Sequence, residues 1–76
     1  MNKERRKAIS NVISKLEEVI SDLEDVKADE EMAMDGVPEN LQGSDRYMEM
    51  EEAVGTMDEA LDSLNEALEY LKDIDL

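Results

Sequence analysis

The reactive groups available to this chain are almost entirely carboxylates. Of its 76 residues, 22 are Asp or Glu and eight are Lys or Arg, giving a net charge of -14, and neither His nor Cys occurs. Without imidazole there is no ordinary proton shuttle and no imidazole metal ligand. Without thiols there is no disulfide, thiolate metal site or thiol nucleophile. Carboxylates alone can do three things: exchange protons, hold a hard cation, or present negative charge. A general acid must be buried or set beside a like charge so that its pKa shifts, and the acids here fall on the outward positions of helical repeats. The calcium loop Asp-x-Asp-x-Asp-Gly is missing, as is the Glu-x-x-His pair of di-iron bundles. No Gly-rich phosphate loop is present. Asp73 and Asp75 read as a solvated tail. No catalytic, cofactor-binding or metal-ligating residue is expected, and the chain reads as a binding protein, not an enzyme.

The third role fits the spacing. Glu52, Glu59, Glu66 and Asp73 recur every seven residues, with Glu51, Asp58 and Asp62 beside them and Glu69 further along. An earlier segment adds Glu17, Glu18, Asp22, Glu24, Asp25 and Asp29. Like charges stand four apart at Glu18/Asp22, Asp25/Asp29, Asp58/Asp62, Asp62/Glu66 and Glu69/Asp73, each unfavourable by about 0.2–0.5 kcal/mol in an isolated helix. A helical turn rises about 5.4 Å, comparable to the phosphate spacing along a DNA strand. Two readings stand side by side. One is a solvated face that keeps the chain soluble. The other is a surface matched to Lys and Arg of a partner, centred on Glu52, Asp58, Glu59, Asp62 and Glu66. Its partner would be a basic protein surface; so acidic a chain repels nucleic acid and anionic membranes.

Two segments position these residues. Ile9, Val12, Leu16, Val19, Leu23 and Val26 alternate spacings of three and four, with Ile13 and Ile20 widening the stripe. Tyr47, Met50, Val54, Met57, Leu61, Leu64, Leu68 and Leu71 repeat the pattern, flanked by Ala53, Ala60, Ala67 and Ile74 at intervals of seven. Side chains three and four apart share a helix face, so both segments are amphipathic helices. Asn2 and Ser44 stand where N-caps belong. Gly36 offers a left-handed helix stop, with Pro38 beyond it. The spacing predicts one helical-hairpin domain over 1–76, with a helix at 3–35, a linker at 36–44 that holds one extra turn near Pro38–Gln42, and a helix at 45–74. So short a linker makes the helices antiparallel. Gly55, inside the second helix, is either a tolerated surface glycine or a point of close backbone approach.

The expected core comprises Ile9, Val12, Ile13, Leu16, Val19, Ile20, Leu23, Val26, Val54, Met57, Leu61, Leu64, Leu68 and Leu71. Each stripe is as wide as a bundle requires, three positions in seven, which predicts that the all-α hairpin dimerises into a four-helix bundle or reserves one face for another protein. Ile13–Val26 also matches Leu61–Ile74 place for place in apolar character, a match that any two amphipathic helices can produce. Residues 1–15 hold five of the basic residues (Lys3, Arg5, Arg6, Lys7, Lys15) and one acid, Glu4. A hairpin brings this end beside Asp73 and Asp75. Met32, Met34, Met48 and Met50 cluster around the linker, suited to gap filling or to an adaptable docking surface. No run of apolar residues is long enough to span a membrane and no signal region follows the first charges, so a cytoplasmic location is expected.

Asn-Lys-Glu-Arg-Arg-Lys-Ala-Ile at 2–9, Leu-Glu-Glu at 16–18, Pro-Glu-Asn-Leu-Gln at 38–42 and Met-Glu-Glu-Ala at 50–53, followed by the leucine seam, resemble small uncharacterised acidic helical proteins of phages and mobile elements of Gram-positive gut bacteria. The resemblance spans Asn2–Leu71 and implies an anti-defence or host-takeover inhibitor; it carries over no binding residues. The alternative is a structural or adaptor module that docks through its apolar stripe or its Met-rich tip.

Overall fold

The computed structural model describes residues 1–74; the expectation for Asp75 lies outside the described residues. Helix α1 spans Lys3–Asp35, a 3-10 turn spans Glu39–Leu41, and helix α2 spans Asp45–Lys72. The two helices pack along one another as a hairpin. Both starts are capped as their sequences require. Asn2 Oδ1 accepts from the Arg5 backbone N–H at 2.8 Å, and Ser44 Oγ accepts from that of Tyr47 at 3.3 Å. Glu4 and Asp45 sit in the first turns, where negative charge suits the helix dipole.

The helix stops differ from expectation in two places. Gly36 is right-handed (φ -81°, ψ -7°), not left-handed. The chain leaves α1 by tightening: Gly36 N–H donates to Met32 O at 3.2 Å and Val37 N–H to Met34 O at 3.0 Å. Pro38 then does the stopping, because its ring drives the preceding residue out of the α region. Helix α2 ends at Lys72 instead of 74. Its last turn also tightens, with Asp73 N–H donating to Glu69 O at 3.1 Å and Ile74 N–H to Leu71 O at 3.2 Å.

The larger correction concerns the seam of α1. Val12, Val19 and Val26 were expected in the core, yet they are 47%, 51% and 55% exposed. The residues that turn inward are Ile9, Ile13, Leu16, Ile20 and Leu23, continued by Lys27, Glu30 and Met34, all buried or half-buried. Both stripes alternate threes and fours and share Ile9, Leu16 and Leu23. Isoleucine buries one methylene more than valine, worth about 0.8 kcal/mol, so facing Ile13 and Ile20 inward outweighs facing Val12 and Val19. In heptad letters, Ile13, Ile20 and Lys27 are a, Ile9, Leu16 and Leu23 are d, and the valines are g. Helix α2 keeps its expected seam, with Leu61 and Leu68 at a, Leu64 and Leu71 at d, and Ala53, Ala60 and Ala67 at g.

The result is a rod. Its Cα extents are 60 × 15 × 13 Å and its radius of gyration is 17.5 Å, against about 11 Å for a compact domain of this length. The buried core consists of Ile20, Leu61 and Leu68, with Ile13, Leu16, Leu23 and Leu64 packed partly against it. All three buried residues are a positions; every apolar d residue is only half-buried.

Candidate binding surfaces

An antiparallel pair places like heptad positions on the same side, e beside e and g beside g, because a two-fold perpendicular to the helices relates them. The seam therefore has two flanks, and in this chain they differ completely. The e flank carries Ser10, Glu17, Glu24 and Glu31 from α1 and Glu51, Asp58, Asn65 and Lys72 from α2, all exposed. The g flank carries Val12, Val19, Val26 and Ala33 from α1 and Ala53, Ala60, Ala67 and Ile74 from α2, all apolar, with Arg5 and Arg46 one step beyond at its ends.

The interhelix ion pairs lie on the e flank. Lys72 Nζ is 3.6 Å from Glu17 Oε2. Lys27 reaches across to Asp58 and also lies 3.5 Å from Glu31 on its own helix. The hydrogen bond from Lys27 to Asp58 raises the lysine pKa above 10.5, partial desolvation opposes this, and the charges of Asp58 and Glu31 add to the rise. A shallow groove runs along this flank, lined by Glu24, Lys27, Glu31, Asp35, Asp58 and Asp62 among others. Thus acids from both helices converge on one lysine. The expected pairing of the basic N-terminal residues with Asp73 does not form: among the described residues the ion pairs are those of Lys27 and Lys72.

The five sequence-predicted site residues do not form one patch of equal standing. Glu52, Glu59 and Glu66 make a single exposed f row on the back of α2. Tyr70 Oη lies 3.5 Å from Glu66 Oε1. Asp62 lies beside this row, at the edge of the e-flank groove. Asp58 belongs to the seam through Lys27. The α1 carboxylates Glu24, Glu31 and Asp35 line the same groove but are not among the expected site residues. The expectation followed the regular acid rows of α2, and a wide α1 stripe that takes in both the valines and the isoleucines leaves open which side of α1 meets that groove. A signal for the correct register was present. Overlaying Ile13–Val26 on Leu61–Ile74 puts Ile13 and Ile20 on the seam residues Leu61 and Leu68, and Val19 and Val26 on the flanking Ala67 and Ile74.

Near the linker the methionines divide. Met34 and Met50 are half-buried in the seam, whereas Met32 and Met48 are exposed. Met32, Val37, Pro38, Leu41, Tyr47 and Met50 border an apolar hollow at the tip. Gly55 faces open space, since a Cβ there would meet nothing within 4 Å. Among the described residues no charged or polar side chain is buried, no three carboxylates converge closely enough to hold a metal ion, and no helix is long and apolar enough to cross a membrane. Neither a family model, nor a curated protein, nor a solved structure matches the chain.

Proposed function

We propose that this chain is a non-enzymatic inhibitor that occupies a basic, nucleic-acid-binding surface on a host or defence protein, and that it works as a dimeric four-helix bundle in the host cytoplasm. The observation that carries the reading is the back of α2. Glu52, Glu59, Glu66 and Asp73 stand exposed every seven residues, flanked by Asp62 and Glu69, and no Lys or Arg occurs between Arg46 and Lys72. The row from Glu52 to Asp73 is about 32 Å long at 1.5 Å per residue. Most exposed helices offset their acids with a base four residues on; α2 leaves its acids unneutralised, which costs stability and suits a partner that supplies the cations. The resemblance to acidic phage and mobile-element proteins agrees with this role. A second reading, an adaptor that docks through its tip, rests on the apolar hollow bordered by Met32, Leu41 and Tyr47.

The test replaces Glu52, Glu59 and Glu66 with Gln and Asp62 with Asn, keeping Asp58 so that its pair with Lys27 survives. Immobilised wild type and variant are exposed to bacterial lysate at low and high ionic strength, with and without added duplex DNA. Charge-driven capture weakens with salt and is lost in the variant, mainly through slower association, and DNA competes for the same captured proteins. Capture that is indifferent to salt, DNA and the four substitutions sinks the mimic reading, and its loss on Leu41→Asp would move the site to the tip.

A further inference from the structure

We propose that the apolar g flank is covered by a second copy of this chain lying antiparallel to the first, α1 over α1 and α2 over α2, with the two-fold axis beside Val19. This rests on the dimer reading and adds its face, its orientation and its centre.

The hairpin's own packing picks the face. Its three buried residues sit at a, the side of the seam next to the e flank, while the d residues, which border the g flank, stay half-exposed. The core is therefore closed on one side and open on the other. The open side holds no charged residue between Val12 and Ala33 on its g row, nor between Ala53 and Ile74 on the facing one. From Val12 to Ala33 the strip is about 32 Å long and, across two helices, about 20 Å wide, or on the order of 600 Å². Specific interfaces bury about 800 Å² per partner, and the overhanging end of α1 supplies further contact. The total exposure agrees: the chain exposes 5880 Å², whereas a compact monomer of this size exposes about 4,700 Å².

Charge picks the orientation. Two hairpins can meet on this face with tips together or tips opposed. Helix α1 has 33 residues and α2 has 28, so Lys3, Arg5, Arg6 and Lys7 project past the end of α2. The opposite end of α1 carries Asp29, Glu30, Glu31 and Asp35. With tips together, each basic end meets a basic end and each acidic tip meets an acidic tip. With tips opposed, basic ends lie along acidic tips.

Spacing picks the centre. On α1 the apolar part of the g row reads Val12, Val19, Val26, which is symmetric about Val19. An axis there sets Val12 against the partner's Val26, and Arg5 against the partner's Ala33, about one turn from the partner's Asp29 and the partner's Glu30. The cross-seam pairs Lys27–Asp58 and Glu17–Lys72 set Val19 level with Ala67, to within a turn. The same axis therefore sets Ala67 against the partner's Ala67 and Ala60 against the partner's Ile74. One axis satisfies both rows, as an isologous interface requires.

The chain has no cysteine, so a single introduced thiol is unique. Sedimentation of the unaltered chain should give twice the chain mass; a monomer at high micromolar concentration overturns both the dimer and this proposal. Val12→Cys, Val19→Cys and Val26→Cys are then treated separately, and in a mixture of the first with the third, with a short bis-thiol cross-linker. Circular dichroism confirms that each remains helical, as substitution at exposed positions allows. Val19→Cys should link to itself in high yield, Val12→Cys and Val26→Cys should not, and the mixture of those two should link to each other. Equal self-linking at all three positions indicates tips together and overturns the orientation. A doubled mass with no linking at any of them places the interface elsewhere and overturns the face while sparing the dimer.

Discussion

The two flanks of the seam are built from the same heptad geometry and are chemically opposite. The e flank is polar throughout, and Lys27 and Lys72 cross it to Asp58 and Glu17. The g flank is apolar from Val12 to Ala33 and from Ala53 to Ile74, with Arg5 and Arg46 at its ends, and its valines stand half in water. A hairpin that had to satisfy only itself would gain from charges on both flanks, since g residues contact solvent at the edge of a two-helix seam. The contrast teaches that the ion pairs between the helices all lie on one flank, and that the proposed dimer gives the other, apolar flank a layer to pack against. Lys27 sharpens the point. A lysine at an a position loses packing area, but its reach to Asp58 favours one register over slipped alternatives, the best-attested use of a polar residue on such a seam.

The comparison breaks most severely if the seam itself is destroyed. Leu61 is 8% exposed in the middle of the buried cluster. Leu61→Ala should cost about 2–5 kcal/mol by urea denaturation, and Leu61→Asp should abolish the cooperative transition, because a buried carboxylate would have no partner. Both flanks would then lose their meaning together.

Next in size is the test that separates the flanks. Replacing Val12, Val19 and Val26 together with Ser should halve the sedimenting mass and make the thermal midpoint independent of concentration. Completing the burial of a half-exposed valine contributes about 1 kcal/mol, so the loss should be roughly 3 kcal/mol per protomer. The matched change on the other flank, Glu17, Glu24 and Glu31 to Gln, should leave the mass unaltered. Equal effects from the two triples would show that the flanks are not functionally distinct.

Gly55 lies on neither flank and faces open space. Gly55→Ala should therefore stabilise α2 by up to about 1 kcal/mol, raising the urea midpoint without altering mass or cross-linking. A destabilising result would mean that a second backbone approaches there.

The smallest effect belongs to the e flank alone. Lys27 titrates above its ordinary 10.5, held by Asp58 and Glu31 against partial desolvation. The folded chain thus binds that proton more tightly than the unfolded one. The contribution is complete below the unfolded lysine pKa and is lost as the pH rises through the higher folded value. Stability measured in alkaline solution should fall more steeply for wild type than for Lys27→Met across that window. Identical slopes would remove Lys27 from the account of register.

Local sequence determined a great deal of this fold. Asn2 and Ser44 set the helix starts through their own side chains, Pro38 stops α1, and the nine residues 36–44 make the helices antiparallel. All of these act over a few residues and were legible without the partner helix. So was the acidic back of α2, because its seam reads one way only, through Leu61, Leu64, Leu68 and Leu71. Helix α1 was different. Two stripes share Ile9, Leu16 and Leu23 and diverge at Val12 or Ile13, Val19 or Ile20, Val26 or Lys27. Periodicity scores them nearly alike, and simple hydrophobicity favours Val26 over Lys27. The choice was made by what lies opposite: Leu61 and Leu68 offer Ile20 a pocket, and Asp58 offers Lys27 a counter-ion. An α-helix can rotate about its axis at little local cost, so which face turns inward depends on the packing and charge of another helix more than thirty residues away, and only the tertiary structure contains that information.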